Sequence, residues 1–411
     1  MLVFFVFSFI LSVIAKNEIY MGHRVYKIKL ETTEQSNKFY LLKDDVIDFW
    51  QKPSLKHKVE GKAMVPPSHF GWFEKQLNDM NIEKNIYIDD VYEYLKEHDT
   101  RQARRNDEDD VFSFDGYHRF DQVLNYMKGL NGTSLPGVDV EFVEVGYTDE
   151  NRTLAYLRIN SKTSEEGTQR PIVIIEAGVN PREWITIPTA LNIANKLIEG
   201  NQTKLAQNLE WIILPVLNPD GYEFTHNSNR LWTKSRSTRS NLGFICPGVN
   251  INRNFDIDWM FSDSSTSPCS HLYGGIESFS EPESQIIRKL IEEHGNRIKL
   301  YISLQNNGGF VSYPWQYERA ASGMFRQHHL LGLEMISAIA DNYKLDIGSL
   351  ALGDRASGTS SDYVMSRNVL YTFNIDIKQC EGDVLVPEAE IRPIAERVWR
   401  AVAVAAGNMI S

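Results

Sequence analysis

Apolar runs and helically spaced apolar positions alternate along most of this chain. "RPIVIIEAG" (170–178) is apolar at consecutive positions, as a strand covered on both faces requires. "TIPTALNIANKLIEG" (186–200) instead sets Ile187, Ala190, Leu191, Ala194 and Leu197 three or four residues apart, which is one face of a helix. "LEWIILPVLNPDG" (209–221), "IKLYISLQ" (298–305) and "VLYTFNIDIK" (369–378) read as further strands, and "YHRFDQVLNYMKGL" (117–130) as a helix. "SEPESQIIRKLIEEHG" (280–295) has Ser280, Pro282 in the first turn and Glu283 three residues after the serine, which predicts a helix opened by a capping box. A long final helix follows Pro387. Strands alternating with helices imply an α/β domain whose mostly parallel sheet lies between helices, with its ligand crevice beyond the carboxyl ends of the strands.

The first hundred residues follow another rhythm. "HRVYKIKL" (23–30) and "NIYIDDV" (85–91) predict strands, and "HFGWFEKQLNDMN" (69–81) predicts a helix with Phe70, Phe73 and Leu77 on one face. Together they form a small α+β unit over 17–99. "HDTRQARRNDEDD" (98–110) is charged and without apolar period, so residues 100–111 read as a linker, with Arg101, Arg104 and Arg105 open to a trypsin-like protease. The larger domain occupies 112–411. Ahead of everything, "MLVFFVFSFILSVIA" (1–15) is an apolar run ending in Val13-Ile14-Ala15, the small-residue pattern of a cleaved signal peptide and too short for a membrane anchor.

Composition constrains both partner and compartment. A net charge of −11 over 411 residues argues against nucleic acid or an anionic membrane as partner. Secretion makes the three cysteines readable: Cys246 and Cys269 share one loop-rich segment and suit a disulfide, while Cys380 is left as a free thiol. The sequons at Asn131, Asn151 and Asn201 are candidate glycosylation sites in the same extracellular compartment.

Candidate chemistry gathers where the strands end. Asn180, Arg182 and Glu183 follow one strand, Asn218 to Gly221 follow the next, and Asn252 and Arg253 lie in "NINRNFD"; Gln305 to Asn307 follow a third strand, and Asp376 sits inside an apolar one. A carboxylate between Ile375 and Ile377 must be paired, solvated or protonated, because an unpaired buried charge is too costly. A structural ion pair, for example Arg253 with Asp376, explains these residues as readily as a binding site does.

In order along nearly the whole chain stand "REWI", "LPVLNPDGYEFTHNSNRLW", "GVNINRNFD", "GGIESFSEPESQ", "SYPW", "ASGTSSDY" and "LVPEAEIRPIAERVW". In these pieces the chain resembles the secreted zinc carboxypeptidases of the A/B type. The resemblance implies an eight-stranded mixed sheet, a ferredoxin-like inhibitory prodomain and a disulfide between Cys246 and Cys269. It also implies a zinc ion held by two histidines and a glutamate, with water in the open position. The metal would polarise the scissile carbonyl, a glutamate would take the water's proton, and one arginine would steady the oxyanion. A second arginine and an asparagine would hold the substrate's terminal carboxylate.

Mapped onto this chain, the first histidine position is Asn180, the glutamate ligand is Glu183 and the second histidine position is Gln305. The oxyanion arginine position is Thr233, with Arg230 and Lys234 close by in sequence. The general-base position is Asp376, one methylene shorter, and the mobile tyrosine falls on Asp354. Carboxamides are weak zinc ligands. Structural zinc sites gain roughly 10–16 kcal/mol from four good ligands, so losing two imidazoles forfeits about 5 kcal/mol, several thousandfold in affinity. No zinc or other cofactor is therefore expected. Arg182, Asn252 and Arg253 match the carboxylate-binding positions, and Ser361 matches the position that sets side-chain preference. The expectation is a secreted, inactive homologue that binds peptide or protein C-termini or an unidentified protein partner. A working carboxypeptidase with an unusual zinc site is the alternative, and a crevice rebuilt around Glu183, Asp354 and Asp376 for another hydrolysis is a third reading.

Overall fold

The structure, a computed structural model, describes residues 15–42, 45–106, 112–135, 138–161, 169–199, 203–377 and 384–410. Most of the segment read as a signal peptide, Cys380, Asn201 and the end of the predicted linker lie outside these residues.

The N-terminal unit has four strands, β1 (Arg24–Lys29), β2 (Asp48–Gln51), β3 (Gly61–Val65) and β4 (Glu83–Ile88), in the antiparallel order β2-β3-β1-β4. Helices Thr33–Phe39 and Phe70–Asp79 complete a ferredoxin-like unit, and Phe73 and Leu77 are buried in its own apolar core as their spacing predicts. The next helix, Val91–Asn106, departs from expectation: it runs through much of the predicted linker. Asp90 accepts hydrogen bonds from the amides of Tyr92 and Glu93 at its start. Arginine, glutamine and alanine then carry it on, because helix propensity does not need an apolar face.

The larger domain carries β5 (Ser134–Leu135), β6 (Val138–Tyr147), β7 (Thr153–Ser161), β8 (Ile172–Glu176), β9 (Glu210–Leu214), β10 (Ile298–Gln305), β11 (Phe310–Tyr313), β12 (Lys344–Ile347) and β13 (Tyr371–Asp376). They form one mixed sheet in the order β12-β11-β13-β10-β8-β9-β7-β6-β5. This is the expected eight-stranded sheet with the two-residue β5 added at one edge. The central strands β13, β10, β8 and β9 are parallel. In β8, Val173 and Ile175 enter the core on one face while Ile172 and Ile174 enter the core on the other, which is why the strand is apolar at every position. The final helix, Ile391–Gly407, packs on the first of those faces, and Pro282–His294 on the second.

The capping box predicted for helix Pro282–His294 is not formed. Glu281 occupies the cap without a side-chain cap bond, and the Ser280 hydroxyl instead donates to Glu281 and accepts from Asn254. Asn254 does the capping from a distance: its Oδ1 accepts from the Glu281 amide and the Ser284 hydroxyl. Cys246 and Cys269 are joined, as the resemblance implied.

Candidate functional site

The site forms where β8, β10 and β13 end. Gln305 and Asp376 are the last residues of neighbouring parallel strands and stand in register with each other. After β8 the chain turns at Gly178, whose φ is 62° and where a Cβ would lie 3.0 Å from both Pro215 O and Val216 Cα. Only glycine suits that place. The turn puts Asn180 Nδ2 2.6 Å from Glu183 Oε1. Asn180, Arg182, Glu183, Thr233, Asn252, Arg253, Gln305, Asp354 and Asp376 all line one cavity of about 260 Å³. The structure thus brings these sequence-predicted positions together around one cavity. Ser361 is the exception: it is buried and absent from the lining, and Gln316, which does line the cavity, donates to its hydroxyl at 3.0 Å.

The donor set does not fit zinc. Asn180 and Gln305 are amides, and their nitrogens are already engaged, Asn180 with Glu183 and Gln305 with Ser303 Oγ at 2.8 Å. Among the described residues, no group of three histidine, cysteine, aspartate or glutamate side chains is placed to hold a metal. His271 lines the cavity, and burial keeps its imidazole below its usual pKa despite the nearby Asp48.

Charge in the cavity is unevenly compensated. Burial raises the Glu183 carboxyl to about 7, with Asp376 adding to the rise while Arg182 and Asn180 oppose it. Burial likewise raises Asp376 to about 7, against hydrogen bonding from Asn307. Arg182 is committed elsewhere: its Nη1 lies 2.5 Å from Asp48 Oδ2 of the N-terminal unit, and both side chains are buried. Burial alone would raise Asp48, but Arg182 and His271 hold it below the usual carboxylate range. Arg253 pairs with Asp263, not with Asp376. Its Nη2 reaches Asp263 Oδ2 at 2.7 Å, and its Nε and Nη1 donate to the carbonyls of Asp263 and Asn252.

No replacement for the oxyanion arginine comes from the neighbours of Thr233. Neither Arg230 nor Lys234 lines the cavity. Arg230 stacks on Trp184 at 3.7 Å and donates to the Arg182 carbonyl, while Lys234 donates to the Pro268 carbonyl. Burial lowers the first to about 10 and the second to about 8. Asp354 faces Lys52 at 3.9 Å and Arg319 at 3.7 Å.

The residues that sequence reasoning missed belong mostly to the N-terminal unit, which covers the crevice. Besides Asp48, Lys52 Nζ lies 2.8 Å from Asp263 Oδ1, Asp45 accepts from Ser265, and Lys56 and His57 both meet Asp346. Trp50 joins an apolar cluster with Leu231, Val384 and Leu385 of the larger domain. "IDFWQK" (47–52) carried a usable signal, since Asp48 is an acid set between the apolar Ile47 and Phe49-Trp50.

A family model described as zinc carboxypeptidase matches residues 113–401, and one described as carboxypeptidase activation peptide matches residues 26–98. The chain is 31% identical to carboxypeptidase B of Helicoverpa zea, over 96% of this chain and 95% of that one. It is 29% identical to human carboxypeptidase A1, over 97% and 96%. The crystal structure of carboxypeptidase A from Helicoverpa armigera superposes with a TM-score of 0.87 at 30% identity, covering 96% of this chain and 99% of that one. Thrombin activatable fibrinolysis inhibitor shares the fold, with a TM-score of 0.78 at 24% identity over 95% and 99%.

Proposed function

The chain belongs to the zinc carboxypeptidase family, and from that premise we propose that it is a secreted member that holds no zinc, does not hydrolyse peptides, and recognises the free carboxylate at a peptide or protein C-terminus. One observation carries the reading: two of the three zinc-ligand positions, Asn180 and Gln305, are amides whose nitrogens are engaged within the protein. Three further positions support it. Thr233 offers no cation where charge would develop on the carbonyl oxygen. Asp376 holds its carboxylate about one methylene back, and a displacement of roughly 1 Å can cost about a hundredfold in rate. Asp354 brings a charge where a tyrosine would close over substrate.

The carboxylate grip rests on Arg182 and Asn252. A guanidinium suits bidentate contact with a carboxylate, and Arg182 has its Nε without a hydrogen-bond partner among the described residues. Asp48 occupies Nη1 of the same arginine, so the N-terminal unit and a peptide C-terminus compete for it. Arg253 contributes less than the resemblance implied, because Asp263 and two backbone carbonyls already take its donors. Gln316 rather than Ser361 lines the cavity, and neither residue specifies a basic or aromatic terminal side chain.

Secretion and glycosylation belong to the same proposal. Asn131 and Asn151 are both exposed, and no described helix is long and apolar enough to cross a membrane. Removal of the N-terminal unit after the helix Val91–Asn106 would open the crevice. Peptides with free and amidated C-termini, offered to the opened protein, test the reading. Binding of the free acid without cleavage supports it; cleavage supports the alternative of a working carboxypeptidase, and binding of both forms alike removes the carboxylate grip.

A further inference from the structure

The same crevice has a feature that carboxylate binding does not use. Asn180 Oδ1, Glu183 Oε2 and Asp376 Oδ1 are buried, line one cavity, and have no hydrogen-bond partner among the described residues. Gln305 spends its amide nitrogen on Ser303, so its oxygen is the end left for the cavity. Both amides have therefore committed their donors and kept their acceptors open, beside two carboxylates that are each at least 97% buried. A buried oxygen left without a donor is costly, and a buried carboxylate left so is costlier. The surrounding charge does not relieve it: six carboxylates line the cavity against three lysine and arginine side chains. Arg182 and Arg253, two of those three, are already paired with Asp48 and Asp263.

We propose that Asn180, Glu183, Gln305 and Asp376 form a binding site for one calcium ion in place of the family's zinc. The donor set is all oxygen, two carboxylates and two carboxamides, which suits a hard cation and not one that prefers imidazole or thiolate. Four protein oxygens fall short of the six to eight that calcium takes, and water held in the cavity of about 260 Å³ supplies the rest. Magnesium is less suited, because it demands near-ideal octahedral geometry and gives up its water reluctantly. The ion would neutralise Glu183 and Asp376 together. It would also fix the turn that carries Arg182, whose grip on a carboxylate does not otherwise depend on it.

The test is calorimetric titration of the full-length protein, freed of metal by chelator, with calcium, magnesium and zinc chlorides in separate runs. One calcium ion per chain is expected, with a dissociation constant in the range of about 10⁻⁴ to 10⁻³ M, magnesium weaker, and zinc no tighter than calcium. Glu183→Gln and Asp376→Asn should each weaken calcium at least about tenfold by removing one of only two charged ligands. Both replacements keep the side-chain volume and remove a buried charge, so the variants should fold, and circular dichroism checks that they do. The shift of the melting temperature with added calcium, present in the parent and lost in both variants, is a second readout. No heat and no melting shift up to about 10 mM calcium would overturn the proposal, since extracellular sites saturate by then. So would equal binding by parent and variants, or zinc bound far more tightly than calcium. Peptide recognition by Arg182 is scored separately, in chelator, so failure of either reading leaves the other standing.

Discussion

Replacing Asp48 by asparagine should destabilise the protein, and then removing Arg182 as well should restore part of what was lost. Arg182 and Asp48 are both buried and meet at 2.5 Å. In Asp48→Asn the guanidinium stays charged although burial acts against its charge, because the ordinary arginine pKa lies far above neutrality and Glu183 nearby still favours the charged form. It then has no formal counter-charge from the N-terminal unit. Breaking one side of a buried pair costs about 3–5 kcal/mol, mostly through the partner left uncompensated, whereas replacing both sides with neutral groups costs much less. The double variant Asp48→Asn/Arg182→Met should therefore be more stable than Asp48→Asn alone, by roughly 2 kcal/mol or more, which is the sign an exposed surface pair cannot give. Urea unfolding of the parent, both single variants and the double variant, followed by near-ultraviolet circular dichroism with the disulfide intact, gives the coupling energy. A coupling under about 0.5 kcal/mol, or a double variant less stable than either single one, would refute the reasoning and with it the idea that Asp48 and a peptide carboxylate compete for one guanidinium.

Three further outcomes follow from the same geometry. Burial raises the Glu176 carboxyl to about 7, although Tyr301 and Ser303 both donate to it. An acid raised in the fold stabilises it while protonated, so that contribution is whole below about pH 4.5 and is lost as pH rises to 7; Glu176→Gln should add up to about 3 kcal/mol in urea unfolding at pH 8 and almost nothing at pH 4, and an equal effect at both pH values would refute it. Asp263 is held far below the usual range, burial opposing and Lys52 and Arg253 prevailing, and Asp48 is lowered too; such pairs are intact above the unfolded pKa and fail as pH falls through the folded one. Small-angle scattering should thus show unchanged dimensions from about pH 8 to 5 and expansion only below about pH 4; expansion near neutrality would contradict it. Replacing Cys246 and Cys269 by serine opens a link across a sequence separation of 23 and should cost about 3 kcal/mol in urea unfolding, with no loss counting against it.

The central sheet was legible because β8 and β10 are buried on both faces, and that burden leaves a continuous apolar run in the sequence. The pair β6 and β7 is absent from the predicted strands: β6 is partly exposed, β7 is only half-buried at several positions, and polar residues interrupt both runs. The helix Phe325–Ile339 also went unpredicted, with Leu330 and Leu333 exposed among its apolar residues blurring the face. Site positions were legible for a different reason, since the ends of parallel strands converge whatever their side chains. Partnerships were not. Asp48 and Arg182 are 134 residues apart, and Arg253, for which the sequence suggested Asp376, pairs instead with Asp263, which follows the turn between Asp258 and Phe261. Gln316 meets Ser361 through a contact that spacing alone cannot foresee.

Zinc content and peptidase activity of one variant bear most directly on the central claim that the metal centre has been given up. The parent protein and Asn180→His/Gln305→His, each with the N-terminal unit removed, are dialysed against low-micromolar zinc, analysed for metal and offered a peptide with a free C-terminus. The account predicts substoichiometric zinc and no cleavage in the parent, with zinc regained by about three orders of magnitude or more in the variant while cleavage stays poor because Thr233 and Asp376 remain. One tightly held zinc ion per chain in the parent, or full activity in the variant, would contradict it.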